Sequence, residues 1–418
     1  MASFLWTLAT LGAAFVPPAA AGPPQEAGGD IAQQRLLQMD CLPGPLIDDS
    51  YLPSCLATAD SDDVTGPSPP WTHTPYCRGE SNYCVHTSTN LYGPDHGVII
   101  IDGGANKTDK APAVLAVERI AGPDAATLTR RKEPDPPAWE VRDIPGKGKG
   151  VVATRKILRG QAFMIDHAAV VADMRFPERV NSVDGRDMLR EGFERHPAGK
   201  ELLALARSSR DPDNAPEDII KTNSFSVEIG GKGYMVIFPK IARINHDCRP
   251  SALTRFNETD FSNTVTAFRD ILPGEEIAIS YSSFGLTSAG RRKTLRLKWG
   301  FTCSCSLCTA PEDELAASDA RRTKIQQLND KVMKLVEEGT STTDKDVAKE
   351  KLNLAAELYG ELVEAVEEEG IVPHMGDHHE ALGRLVAAAG DVEKAREWLR
   401  RGREEREEFE SIGRGEMA

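Results

Sequence analysis

Trp299-Gly300-Phe301-Thr302-Cys303-Ser304-Cys305-Ser306-Leu307-Cys308 is the stretch on which the reading of this chain turns. Three cysteines within six residues are too crowded for a disulfide framework, and they suit a site where thiolates converge on one metal ion. A tetrahedral zinc site asks for one more ligand, and Cys248 is the candidate. It stands in Arg243-Ile244-Asn245-His246-Asp247-Cys248-Arg249-Pro250, where an Asn-His pair lies next to a cysteine and a proline in a region of short strands. A lone histidine is ordinarily a satisfied core residue. The pair gains meaning from what surrounds it.

Two further segments lie outward from these. Pro273-Gly274-Glu275-Glu276-Ile277-Ala278-Ile279-Ser280-Tyr281 reads as a turn and then a strand over 277–281, whose period-2 alternation places Ile277, Ile279 and Tyr281 on one face. Pro145-Gly146-Lys147-Gly148-Lys149-Gly150-Val151-Val152-Ala153 has glycines at 148 and 150 that allow backbone to approach a ligand closely. A plain hairpin turn satisfies the same pattern.

In this order and at these separations the four pieces resemble the SET-domain family with its post-SET zinc loop, and in particular its SET and MYND branch. There the domain is split by an inserted helical region and followed by a tetratricopeptide-like tail. Arg291-Arg292, Leu295, Phe301 and the cysteines carry much of the likeness. The dense Cys-x-x-Cys steps of a MYND finger are absent from the sequence. The N-terminal cysteines, with residues 71–77 and Tyr83-Cys84-Val85, are similar instead to fungal SET-domain proteins that begin with a signal sequence. Asp247 and Ser251 depart from the family's usual Ser and Asn, and bear on local stability more than on chemistry.

The resemblance implies an α+β architecture. A knotted β-rich SET domain with a helical insert and a post-SET zinc loop precedes a C-terminal α-helical tetratricopeptide-like domain. It implies an S-adenosylmethionine-dependent protein-lysine N-methyltransferase acting on a histone or another protein. The cofactor pocket would comprise Lys147, Gly148, Lys149, Gly150, Asn223, Asn245, His246, Tyr281, Trp299 and Phe301. Asn245 would hold the methionine end, His246 the adenine side, and Trp299 or Phe301 would cover the adenine ring. Tyr281 would be the catalytic residue. Cys248, Cys303, Cys305 and Cys308 would bind structural zinc. The alternatives are a catalytically inactive SET-fold binding module or a secreted interaction protein.

The implied organisation is a signal peptide over 1–21, a cysteine-containing region and linker over 22–138, and the SET domain over 139–288. Its helical insert covers about 176–218, the zinc loop 289–310, and the helical domain 311–418. Stripes of Ile325, Leu328, Val332 and Leu335, and of Leu358, Leu362, Ala365 and Val366, recur at helical spacing. At 418 residues the chain is long enough for two or three domains.

The formal charge of −14 argues against direct nucleic-acid binding and fits a basic partner such as a lysine-rich tail. The acidic excess is concentrated in the last hundred residues, where solvated helix faces are the more ordinary account of it. Beyond the leader, no apolar run is long enough to span a membrane.

Residues 4–16 are apolar, Pro17-Pro18 ends the run, and Ala19-Ala20-Ala21 offers a cleavage site, so entry into the secretory pathway is expected; the nucleus or cytoplasm is the alternative. Cys41, Cys55, Cys77 and Cys84 then read as two disulfides. The expected pairs are Cys77–Cys84 and Cys41–Cys55, though spacing leaves other connectivities open. Asn106-Lys107-Thr108 and Asn257-Glu258-Thr259 are glycosylation sequons. Asp377-His378-His379-Glu380 is metal-like in composition but reads better as a helix start.

Overall fold

The computed structural model describes residues 67–93, 96–105, 109–122, 133, 135–207, 214–283, 285–370 and 375–414. The leader, Cys41, Cys55 and the sequon at Asn106 lie outside them.

Short β-branched and aromatic runs form three sheets. Strands β1 (Tyr76–Cys77), β2 (Tyr83–Ser88), β3 (Val98–Gly103), β7 (Val170–Asp173), β9 (Lys232–Ile237) and β8 (Phe225–Ile229) make a six-stranded sheet in that order, parallel only between β3 and β7. Helix α1 (Pro112–Ala121) packs on β3 and β8 through Ala113, Val114 and Val117. The second sheet runs β10 (Asn245–His246), β13 (Glu276–Ile279), β5 (Gly148–Ala153), β4 (Trp139–Ile144). The third sheet is β11 (Ala252–Asn257), β12 (Ser262–Ala267) and β6 (Ala162–His167). One apolar core, with Phe163, Phe238, Ile244, Phe261, Ile277 and Ile279, lies among the sheets.

The strand expected over 277–281 stops at Ile279. The amide of Tyr281 donates to Nδ1 of His246, so the chain leaves the ladder for a side chain. Ile277, Ala278 and Ile279 are all buried, because both faces of this strand are covered. Tyr281 still packs against the core that holds Ile277 and Ile279.

The helical insert comprises α2 (Phe176–Arg179), α3 (Ser182–Arg195), α4 (Gly199–Leu203) and α5 (Ala215–Asn223), and so runs on past residue 218. Asn181 caps α3 by accepting from the amides of Val183 and Asp184. After β13 comes α6 (Ser288–Trp299), closed by Gly300 in the left-handed conformation.

Four helices follow: α7 (Glu312–Ser341), α8 (Lys345–Glu369), α9 (Met375–Ala388) and α10 (Val392–Arg414). Ile325, Leu328 and Val332 meet Leu362, Ala365 and Val366 in a core of their own. Leu335 and Leu358 are half-buried beside them. Helices α9 and α10 approach closely at Gly376 and Gly402: a Cβ on Gly402 would come 2.7 Å from the Gly376 carbonyl oxygen.

Candidate active site and metal centre

The parallel pairing of β10 with β13 sets Asn245 opposite Ala278 and His246 opposite Ile279. Ser251, buried, braces the same pairing: its amide donates to the Ala278 carbonyl and its hydroxyl accepts from the Ala278 amide, both at 3.0 Å. The Asn245 side-chain amide donates to the Lys149 carbonyl at 3.2 Å and to Oε1 of Glu276 at 2.9 Å. Lys147 reaches the other oxygen of Glu276 at 2.6 Å. One carboxylate therefore fastens the glycine turn to β10.

That turn needs glycine for two different reasons. Gly146 and Gly148 have φ of 74° and 76°, where a side chain would be strained. Gly150 has no such torsion, but a Cβ there would stand 2.7 Å from the Asn245 amide nitrogen and 2.5 Å from Ile144.

His246 accepts from the Tyr281 amide at Nδ1, so its proton sits on Nε2, which donates to Sγ of Cys248 at 3.4 Å. Burial pushes this imidazole down to about 4, so it is neutral at physiological pH. The Tyr281 hydroxyl donates to the Ile244 carbonyl at 2.7 Å, and burial raises its pKa, which keeps the phenol protonated. The Trp299 ring lies 5.2 Å from Tyr281 and donates its indole N–H to the Thr222 carbonyl; Phe301 stands edge-on to Tyr281 at 6.4 Å. Asn223 is buried, its amide donating to the carbonyls of Ala206 and Ile219. Burial pushes the Asp247 carboxyl up to about 6, while the Arg249 amide caps it at 2.8 Å.

A cavity of about 420 Å³ opens among these elements. Lys147, Gly148, Lys149, Asn223, Asn245, His246, Tyr281, Trp299 and Phe301 form its walls. Gly150 does not; it lies behind Asn245, and its bareness lets that side chain reach the turn. A second cavity, of about 570 Å³, opens against the same wall. Thr222, Asn223, Ala242, Tyr281 and Trp299 line both. Sequence reasoning missed Thr222 and Ala242, which belong to no recognisable motif. It also missed Glu276, although that residue stood in a quoted segment.

The Sγ atoms of Cys248, Cys303, Cys305 and Cys308 all lie within 4.8 Å of one another, and all four residues are buried. Cys248 is 4.0 Å from Cys303 and 3.6 Å from Cys308. A tetrahedron with sulfurs about 2.3 Å from a zinc ion has edges a little under 4 Å, so the set fits that ion. Without a cation four such neighbours cannot all be thiolates. Hydrogen bonding among them, led by Cys303, pushes Cys248 up, while Cys248 and its companions hold Cys305 down.

The other cysteine and histidine candidates fall elsewhere. Cys77 and Cys84, paired across β1 and β2, form a disulfide. His378 bonds the Tyr359 hydroxyl, His379 bonds Glu405, and Asp377 pairs with Arg255 and Arg406, so these side chains serve helix packing rather than a metal. Among the described residues no helix is long and apolar enough to cross a membrane.

The family model for the SET domain matches residues 148–282, the stretch that carries the Gly turn, the Asn-His strand and Tyr281 of this cavity. The chain carries a SET domain. Its sequence is 33% identical over 125 residues to N-lysine methyltransferase SMYD2 of Gallus gallus, covering 28% of this chain and 27% of that one. It is 29% identical over 190 residues to Histone-lysine N-methyltransferase set5 of Schizosaccharomyces pombe, covering 45% of this chain and 56% of the other. Over 73 residues, 17% of this chain and 18% of the relative, it is 47% identical to Protein-lysine N-trimethyltransferase SMYD5 of Homo sapiens. The chain thus spans between about a fifth and just over half of the length of these curated relatives.

Proposed function

We propose that the protein transfers a methyl group from S-adenosylmethionine to a lysine side chain of another protein. The observation that carries this reading is that Thr222, Asn223, Ala242, Tyr281 and Trp299 line two cavities at once. A transferase has two substrates to bring together, and one cavity for each serves that end. S-adenosylmethionine, when bound, supplies a methyl group on a positively charged sulfur. Lys147, Gly148, Lys149, Asn223, Asn245, His246, Trp299 and Phe301 would hold it, with Asn245 at its methionine end and the two aromatic rings over its adenine.

The second cavity would admit the substrate lysine. A free lysine has a pKa of about 10.4, so its amine has to lose a proton before it can attack. The apolar and aromatic groups around Tyr281 disfavour the ammonium form, and no dedicated base is required. The Tyr281 hydroxyl, held by the Ile244 carbonyl, positions the amine; alignment then contributes most of the rate. Zinc on Cys248, Cys303, Cys305 and Cys308 would be structural, its four protein ligands leaving no open position. In the same reading the strand at Asn245 threads a knotted SET core, and the paired helices α7 to α10 are tetratricopeptide-like.

The test incubates the pure chain with labelled S-adenosylmethionine and a cell lysate and identifies labelled proteins by mass spectrometry. Label on lysines, lost with Tyr281→Phe, is expected. No label above a boiled control overturns the proposal.

A further inference from the structure

Among the described residues the second cavity has no carboxylate in its lining; its charged residues there are Lys221 and Lys298. This is notable in a chain with 64 acidic against 50 basic residues. One lip of the cavity is the last turn of α6, where Leu297 is 73% exposed and Lys298 lies with its ammonium 5.9 Å from the Trp299 ring. The sequence of that helix, SAGRRKTLRLKW, holds five basic residues and no acidic one. Arg291 is buried, but Arg292, Lys293, Arg296 and Lys298 face solvent. Lys293, Arg296 and Lys298 make no ion pair among the described residues. Lys221, in the last turn of α5, is already paired with Glu217, so the uncompensated charge comes from α6.

Basic residues in a final turn also stabilise a helix end. That role accounts for Arg296 and Lys298, but not for Lys293 nearer the start, nor for a cavity lining free of carboxylates. Five residues of helix span about 7–8 Å, so the charge at Lys293 still reaches the lip within a Debye length of about 8–10 Å. A lysine-rich tail entering here would meet a field of its own sign.

We propose that the second cavity takes a lysine set among acidic residues, in place of the basic tail that the net charge of the chain suggests. The proposal rests on the methyltransferase reading for the role of the cavity, and its test separates the two.

Fluorescent peptides carrying a central norleucine in place of lysine, flanked by glutamate, serine or lysine, are titrated with the full chain. Norleucine cannot accept a methyl group, so this binding is independent of turnover. Glutamate-flanked peptides should bind roughly ten-fold tighter than serine-flanked ones, as expected of a few exposed charge pairs, and lysine-flanked ones should bind weakest. The advantage should shrink as salt rises. The exposed charge reversals Lys298→Glu and, separately, Lys293→Glu with Arg296→Glu should each reduce or invert the order.

Equal binding across the three sets, or tightest binding of the lysine-flanked set, overturns the proposal. So does a single-stranded oligonucleotide that binds through these lysines while no peptide does. The same peptides with lysine restored are then offered with labelled S-adenosylmethionine. Methylation indifferent to the flanks overturns this proposal and leaves the transferase reading standing. Flank-dependent binding with no methylation of any peptide does the reverse.

Discussion

Tyr281 closes its hydroxyl onto the Ile244 carbonyl and its amide onto His246, so the ring is fixed from both ends. Its fold-supporting bond is the amide, which Tyr281→Phe keeps. The substitution should leave folding intact, lower kcat on the order of a hundred-fold and change KM little, because the hydroxyl acts mainly in the transition state. Steady-state kinetics check this, and unchanged kcat removes Tyr281 from the mechanism. Asn245→Ala loses the bonds to Lys149 and Glu276, and with them the link between β10 and the turn. S-adenosylmethionine affinity should fall roughly ten-fold or more, measured by calorimetry. At this scale the sequence was legible where a residue type has few alternative uses. Asn245-His246 next to a cysteine and three cysteines in six residues could be read directly. Gly150 was readable as a close approach, but not that the Asn245 amide is a group that approaches it. Thr222 and Ala242 offered no signal, since their role comes from where the end of α5 and the turn before β10 happen to meet.

Among elements, α7 and α8 are joined through one buried carboxylate, and α7 reaches the four-cysteine cluster through Arg322. Glu369, at the end of α8, accepts from Ser318, Arg321 and Arg322, and Arg322 also donates to the Cys248 carbonyl at 3.0 Å. Burial alone would raise the Glu369 carboxyl; the bonds from Ser318, Arg322 and Arg321 hold it below its usual value. A carboxyl depressed in the folded state contributes stability above its unfolded pKa of about 4.3 and loses it as pH falls through the folded value. Thermal melts of the wild type should therefore drop steeply in that acid range. Glu369→Gln should flatten the drop and cost about 3–5 kcal/mol at neutral pH, because two arginines lose their counter-charge in a buried place. A variant with wild-type melting at every pH defeats this account. Metal analysis should find one zinc per chain, and Cys305→Ser should release it and lower Tm by on the order of 10 °C. Helices α7 and α8 were readable from their stripes, as was the β4–β5 hairpin from its glycines. The parallel pairing of β10 with β13 was not, because two residues carry no periodicity and their partner lies far along the chain.

The whole molecule places two cysteine chemistries in one chain: a disulfide between Cys77 and Cys84 and four thiols gathered for a metal. A disulfide that ties the short edge strand β1 to β2 is at home in an oxidising compartment. The thiols can persist there if zinc binds as the chain folds, since metal-bound thiolates are held in the folded site. The sequon Asn257-Glu258-Thr259 begins at half-buried Asn257, the last residue of β11, and runs into the turn before β12, where Glu258 and Thr259 are exposed, a place a glycosyltransferase could reach. The leader read from residues 4–21, the disulfide and this exposed turn thus point the same way, against a cofactor that the cytosol makes. The chain is therefore predicted to enter the secretory pathway. Expressed in its native cell with a C-terminal tag, it should have lost Met1, shift in mobility on glycosidase treatment, and resist alkylation at Cys77 and Cys84 until reduced. An Asn257→Gln variant should lose most of the shift. An intact Met1, no shift, and Cys77 and Cys84 alkylated without reductant would return the protein to the nucleus or cytosol. The strand β1 would then be held by its backbone bonds to β2, by the contacts of Tyr76 and Arg78 with Asp187 on α3, and by the packing of the Tyr76 ring.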